Sequence, residues 1–331
     1  MTTNNYLTRR NALSLLAASA ATPLLPKSGL AAILETLSLF GPPAGPSVTL
    51  AHAVTSGLFG DIAKNATFKS WRNPDELRAG LTSGSIGLSV VPVQAAVNLY
   101  NRGFPIKLAN IMTNGLLYII SDDPEIQNVQ DLKGRSIAVP FRGDTPEIIF
   151  GQLLVHHGLD EKKDLNITYA GSPIEAMQLL LAGKVDTALT AEPSTTAGVL
   201  KGKKAGKKIT RVINIQTAWG DMTGASPVLP QAGLAVTQGF LDENGDTLPS
   251  ILKTLEIATD QVLNDPNEAA GSATEALGIP APLLAASIPN CNLVARPAQE
   301  ARVDIERMLT AMADPDMAKI GGKLPDHGFY L

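Results

Sequence analysis

The segment Phe141-Arg142-Gly143-Asp144-Thr145-Pro146-Glu147 gathers a guanidinium, two carboxylates, a hydroxyl and an aromatic ring. A guanidinium can clamp a carboxylate or sulfonate through two parallel hydrogen bonds. Phe141 can cover a ring. Thr145 followed by Pro146, or Asp144 with Glu147 three residues on, can each start a helix, and both registers stay open. Either way the first N–H groups of that helix face whatever approaches the loop.

Other loops carry related groups. Thr55 and Ser56 follow an apolar run, where hydroxyls and backbone N–H groups suit an anionic or polar group. His52 precedes them, as a core residue or a contact. Asn114, next to Gly115, can donate and accept. Glu192 stands before Pro193, and Trp219 and Asp221 share the segment Trp219-Gly220-Asp221-Met222-Thr223. Trp219 can stack on a ligand or plug a core. One base, Arg142, against Asp144, Glu192 and Asp221 leans toward a neutral, zwitterionic or heteroaromatic ligand rather than a bare small anion.

The elements that position these groups alternate. Strands are expected at 48–54, 67–71, 86–91, 106–112 and 116–121, with helices at 56–65, 74–83 and 94–102 between them. Asn73 and Pro74 mark one helix start. The pattern restarts with strands at 136–139, 166–170, 185–190, 208–215 and 233–237, and helices at 146–157 and 172–182. Beyond Leu248 the chain reads as helix and loop. This is the grammar of an open α/β sheet. A weak repeat relates Leu81 to Pro92 and Leu181 to Pro193: a helix ends at a glycine, then a short strand and a proline follow. Two such units make two lobes, with ligand loops at the carboxyl ends of the strands.

Composition narrows the function. The chain has 331 residues, 44% hydrophobic and 18% charged, with a formal charge of -4. That suits a folded chain and argues against nucleic acid as a partner. The single Cys291 excludes a Cys-rich metal cluster, and no cofactor motif is present. His156 and His157 are adjacent and point to different sides of one helix. The lysines from Lys201 to Lys208 read as a solvated turn.

Residues 1–31 read as an export signal: Arg9 and Arg10, an apolar run from Ala12 to Leu25, then Gly29-Leu30-Ala31 before cleavage. Thr8-Arg9-Arg10-Asn11-Ala12-Leu13 resembles the twin-arginine motif, with Ala12 in place of Phe and Ser14 in place of Lys. The alternative is a general secretory signal with a basic start. Removing this segment takes three bases and no acid. The expected product is periplasmic, without a lipid anchor. Residues 32–45 read as a lead-in.

Three segments carry a family likeness: Asp131 to Pro140, Ile174 to Ala188, and Ala191-Glu192-Pro193, together with Pro74 to Pro92. Across about 46–245 the chain resembles the periplasmic substrate-binding proteins of nitrate/sulfonate/taurine ABC importers, a superfamily that includes binders of thiamine-pyrimidine precursors. The resemblance implies an α/β, two-lobed type II periplasmic binding protein fold. Lobe one would comprise 46–123 plus 233–331, and lobe two 124–232. It implies a non-enzymatic protein that captures a small-molecule solute and delivers it to an ABC permease, with the twin-arginine translocase as export partner. The alternatives are a periplasmic sensor or assembly partner, or an enzyme of the thiamine-pyrimidine or menaquinone-pathway type. One departure from the family is Gly87, where its first repeat usually has an acid, as Asp186 stands in the second; it implies a change in ligand or in packing.

Overall fold

The computed structural model describes residues 33–331, so the signal assigned to 1–31, with Arg9 and Arg10, lies outside the described residues. The chain begins with β1 (Leu34–Gly41), α1 (Gly45–Thr55), β2 (Ala63–Ser70), α2 (Pro74–Ser83), β3 (Leu88–Pro92), α3 (Val93–Asn101) and β4 (Ile106–Thr113). It crosses into β5 (Leu117–Ser121), β6 (Ser136–Pro140), α4 (Thr145–His156), β7 (Asn166–Ala170), α5 (Pro173–Leu181), β8 (Thr187–Ala191), α6 (Ser194–Lys204), β9 (Thr210–Asn214) and α7 (Ile215–Thr223). It returns through β10 (Ala232–Thr237) and α8 (Gln238–Asn244). Then come α9 (Leu248–Asn264), α10 (Pro266–Leu277), α11 (Ala281–Ser287), β11 (Leu293–Pro297) and α12 (Ala298–Ala313).

Two mixed sheets result, ordered β11-β4-β10-β3-β1-β2 and β7-β6-β8-β5-β9. β1 runs parallel to β2 and β3, while β10 returns antiparallel between β3 and β4. In the second sheet β6 is parallel to β7 and β8, and β5 is antiparallel to β8 and β9. The strand expected at 116–121 therefore opens the second sheet, and the crossing falls at 114–116 rather than after 123. The first sheet begins at Leu34, inside the segment expected to be a lead-in.

The first α/β unit differs most from expectation. Residues 48–54 were expected as a strand and form most of α1. Every residue from Gly45 to Ala53 is buried, so the helix shows no polar face. Val48 and Ala51 pack with Ala269, Ala270 and Ala273 of α10, while Leu50 and Ala53 pack with Leu37, Leu39 and Ile251. An all-round apolar segment carries neither the helical nor the strand period. The helix expected at 56–65 is a set of turns, and β2 takes over at Ala63. Lys201, Lys203 and Lys204 of the lysine segment form the last turn of α6, where cations favour a helix C-terminus, and Lys207 and Lys208 follow it.

Elsewhere local signals hold. Asn73 accepts the Glu76 N–H at 3.0 Å and caps α2. The repeat is real: Gly84 and Gly183 each end a helix at positive φ. The odd position of the repeat is a packing matter. Asp186 accepts the N–H and hydroxyl of Ser136, whereas the space beside Gly87 is filled by Phe240. One hydrophobic cluster runs from Leu81, Val91 and Ile111 through Leu117, Ile137 and Phe150, with Ile305, Met308 and Met312 of α12 between the lobes.

Candidate functional site

The carboxyl ends of β1 to β4 and of β6 to β9 meet where the chain crosses between lobes, because β4 leaves one sheet at Thr113 and β5 enters the other at Leu117. The crossing is held by its neighbours. Leu116 N–H donates to Gln231 Oε1 at 3.3 Å and Leu117 N–H to Gln216 Oε1 at 3.0 Å. Asn114 N–H donates to Asn292 O, and Leu229 N–H to Asn114 O. Gly115 sits at φ 112, and a Cβ there would strike the Gln216 side chain.

Of the groups singled out from sequence, Asn114, Phe141, Asp144, Thr145 and Glu192 lie at these facing edges. Asp144 holds the N-cap position of α4 but makes no side-chain cap; Glu147 instead accepts the Gly143 N–H. Of the two registers left open, the one with Asp144 at the N-cap is thus taken, without a closed capping box. Asp144 Oδ1 lies 3.7 Å from Arg78 Nη2 of α2, across the cleft. Burial pushes the Asp144 carboxyl above the usual range, Arg78 opposes this, and Asp75 and Glu147 add to it. Thr145, 3% exposed, has no hydrogen-bond partner for its hydroxyl.

Glu192, 1% exposed, is the one buried carboxylate among the described residues. Its oxygens accept the Thr196 N–H at 3.0 Å and the Arg211 guanidinium, with Nε at 3.0 Å. Arg211 also donates to Thr196 Oγ1 and lies over the Tyr118 ring. That carboxylate is neutralised from within.

Most of the remaining candidates lie elsewhere. Thr55 and Ser56 stand at the C-terminal end of α1, not after the first strand, so they are remote from the cleft edge. Trp219 is 1% exposed in the core, on α7 rather than in a loop, and Asp221 lies exposed on the same helix. Arg142, in the same loop as Phe141 and Asp144, stacks on the exposed Tyr169 ring at 4.7 Å, near the carboxyl end of β7. His52 is a core residue, its ring nitrogens paired with Ser272 Oγ at 2.8 Å and Gln261 Oε1 at 2.9 Å. The charge balance drawn from Arg142, Asp144, Glu192 and Asp221 therefore changes: Arg211 neutralises Glu192, Asp221 lies on α7, and Arg78 faces Asp144.

Sequence reasoning passed over three features of the first lobe. Ser47, in the first turn of α1, is 0% exposed and its hydroxyl is unpartnered. Gly41 ends β1 against that hydroxyl, so closely that a Cβ would collide with it. Trp71 follows β2, its Nε1 donating to Ser89 Oγ at 3.1 Å. The signal available was Gly45-Pro46-Ser47, a proline in the first helical turn directly after a strand.

The edges thus present helix N-termini, hydroxyls and an amide. Among the described residues no group of three or more His, Cys, Asp or Glu could hold a metal ion, and no helix is long and apolar enough to cross a membrane.

Comparison with known proteins extends this picture. The family described as NMT1/THI5 like matches residues 72–269. No curated protein matches. Among solved structures, an ABC transporter from Parabacteroides distasonis superposes with a TM-score of 0.73 at 24% identity, over 90% of this chain and 98% of that one. The periplasmic aliphatic sulphonate binding protein of Escherichia coli gives 0.67 at 16%, over 88% and 97%. The periplasmic nitrate-binding protein of Synechocystis PCC 6803 gives 0.60 at 13%, over 76% and 69%. The two-lobed α/β architecture is common to all of these.

Proposed function

The chain belongs to the NMT1/THI5-like family, and from that membership and the facing lobe edges we propose that it is the solute-binding component of an ABC importer. It captures a small polar molecule of the nitrate, sulfonate, taurine or pyrimidine-like class between its lobes and delivers it to a membrane permease. One observation carries this reading. Ser47 Oγ in lobe one, Asn114 Oδ1 in the crossing and Thr145 Oγ1 in lobe two are buried without a hydrogen-bond partner. An unsatisfied buried polar atom costs about 1–3 kcal/mol. Three at one pair of edges suit a solute that completes them as the lobes close.

Thermal unfolding of residues 32–331 with nitrate, sulfonates, taurine and pyrimidines tests it. A bound solute at a hundredfold its dissociation constant adds about 2.7 kcal/mol of stability. At least one compound is expected to do so. No shift from any compound, with no small molecule released from the denatured protein, would overturn the reading. Export by the twin-arginine translocase to the periplasm belongs to the same proposal. Changing Arg9 and Arg10 to Lys is expected to hold the protein in the cytoplasm, and an unchanged periplasmic yield would refute that route.

A further inference from the structure

We propose that the lysine face of lobe two, at the end of its sheet away from the cleft, is a docking surface for an anionic lipid membrane. Five of the chain's sixteen lysines fall between Lys201 and Lys208, in a chain whose formal charge is -4. The fold adds a sixth. α5 ends at Leu181 and α6 at Lys204, and the turns that follow lead into the amino ends of β8 and β9. Both strands run antiparallel to β5 between them, so the two turns emerge at one end of the sheet. Lys207 ties the turns together. Its Nζ donates to Leu181 O at 2.9 Å, and a Cβ on Gly183 would stand 3.9 Å from that nitrogen. Lys184, exposed, follows Gly183 directly.

The helix end alone does not account for this charge. Lys201, Lys203 and Lys204 answer the partial negative charge at the end of α6, but Lys184, Lys207 and Lys208 lie outside that helix. None of the six lies within ion-pair distance of a carboxylate among the described residues. The acids that follow β5 or precede β8 at this end are Asp122, Asp123, Glu125 and Asp186. Arg135 already pairs with Asp123 at 2.9 Å, and Asp186 is bound to Ser136. Positive charge is left in excess, and like charges held together favour a negative counter-surface. The side-chain types point to lipid. All six cations are ammonium point charges rather than planar guanidinium forks. Segments 181–187 and 200–210 hold no aromatic ring to stack on a base. Leu200, 41% exposed, precedes Lys203 and Lys204 by three and four residues and so shares their helix face. An exposed leucine among lysines suits a headgroup layer, with the apolar group inserted and the ammonium groups at the phosphates. The edges that face the cleft lie at the opposite ends of β8 and β9, so docking leaves the cleft open.

The proposal rests on the reading above only for the membrane that the protein meets. Vesicle flotation of residues 32–331, which contain both sheets, tests it without any solute. The vesicles are phosphatidylcholine alone, or phosphatidylcholine with about 30% phosphatidylglycerol, at about 50 mM and about 0.5 M NaCl. Flotation is expected with the anionic vesicles at low salt, and its loss at high salt and on phosphatidylcholine. Lys203→Gln, Lys204→Gln and Lys208→Gln combined should weaken partition about a hundredfold, at about fivefold per lysine. The matched triple Lys64→Gln, Lys69→Gln and Lys253→Gln, exposed in lobe one, removes the same charge and should change partition less than about threefold. Leu200→Gln should weaken it about threefold or more. Melting temperatures near the parent's identify the variants that are folded. No flotation with anionic vesicles, equal flotation with phosphatidylcholine, or equal loss in the two triples would each overturn the surface. So would retention on immobilised polyglutamate without flotation, which would assign the face to an acidic polypeptide. Solute binding is read separately by thermal unfolding, so either proposal can fail alone.

Discussion

Arg78 Nη2 of α2 lies 3.7 Å from Asp144 Oδ1 at the start of α4, an ion pair that joins the two lobes across the cleft. Arg78 also donates to Asp75 at 2.8 Å within its own helix. The side chain of Arg78 is 51% exposed and that of Asp144 31%. Pairs this open contribute about 0.2–1 kcal/mol. A contact of that size orients the lobes without locking them, which suits hinge closure around a solute. Arg78→Ala is expected to raise the radius of gyration of the unliganded protein in small-angle scattering and to leave its melting temperature nearly unchanged. An identical scattering profile would show that the pair does not govern closure.

Asp144 gives the cleft a pH dependence of known sign. Burial, the largest influence, raises its carboxyl above the ordinary value of 3.8, and Arg78 only partly offsets this. A raised pKa means that the folded state holds the proton more tightly than the unfolded chain. Protonation therefore adds stability on the acid side, and this contribution is lost as pH rises through the folded pKa. Asp144→Asn keeps the shape and removes the charge. Its stability should equal or slightly exceed the parent near pH 7, while the acid-side gain at this site disappears. Urea titrations at neutral pH and at about pH 4 would show it. A loss above about 1 kcal/mol at neutral pH would mean that the attraction to Arg78 outweighs desolvation.

Glu192 and Arg211 behave differently because the carboxylate is buried. Removing one partner of a buried pair leaves the other uncompensated and costs about 3–5 kcal/mol. Arg211 is 25% exposed, so water recovers part of that loss. Glu192→Ala should therefore lose about 3 kcal/mol in urea denaturation, with the Thr196 N–H and the first turn of α6 left open. A loss under 1 kcal/mol would mean that the pair is solvated and that Glu192 is free to meet a solute.

What could be read from sequence tracks how much each residue is constrained locally. α2 is marked by Asn73 and Pro74, and the Gly84 and Gly183 helix ends by their glycines, so the alternating pattern from residue 73 onward is legible. α1 is not. Its residues are buried on every side, so Val48, Leu50, His52 and Val54 mimic a strand. That misassignment moved the expected cleft loop. It put the first cleft loop at Thr55 and Ser56, when the loop after the first strand is Pro42 to Ala44 and its hydroxyl is Ser47. α7 was hidden by Gly220, which sits there because a Cβ would meet the Pro227 backbone at 3.0 Å. Long-range partners, Arg211 for Glu192 and Gln216 and Gln231 for the crossing, are set by topology and leave no mark in local sequence.

Two glycines six positions apart test the sheet register that frames the cleft. Gly233 lies in β10, which returns antiparallel between β3 and β4 with a register shift between Ala232 and Gly233. A Cβ there would collide with the Asn110 carbonyl oxygen, a backbone atom that cannot swing aside. Leu234 N–H is meanwhile held by Asn110 Oδ1 at 3.1 Å, so the strand cannot drift outward without losing that bond. Gly233→Ala should cost about 3 kcal/mol, the upper range of overpacking. Gly239 lies exposed in α8 with nothing within 4 Å of the added atom. Gly239→Ala should add about 0.4–1 kcal/mol by restricting the unfolded chain. Opposite shifts in the urea midpoint would support the inserted strand as the rigid floor of lobe one. Equal midpoints would mean that β10 can slide past β4, and the crossing at Gln231 would then have no fixed support.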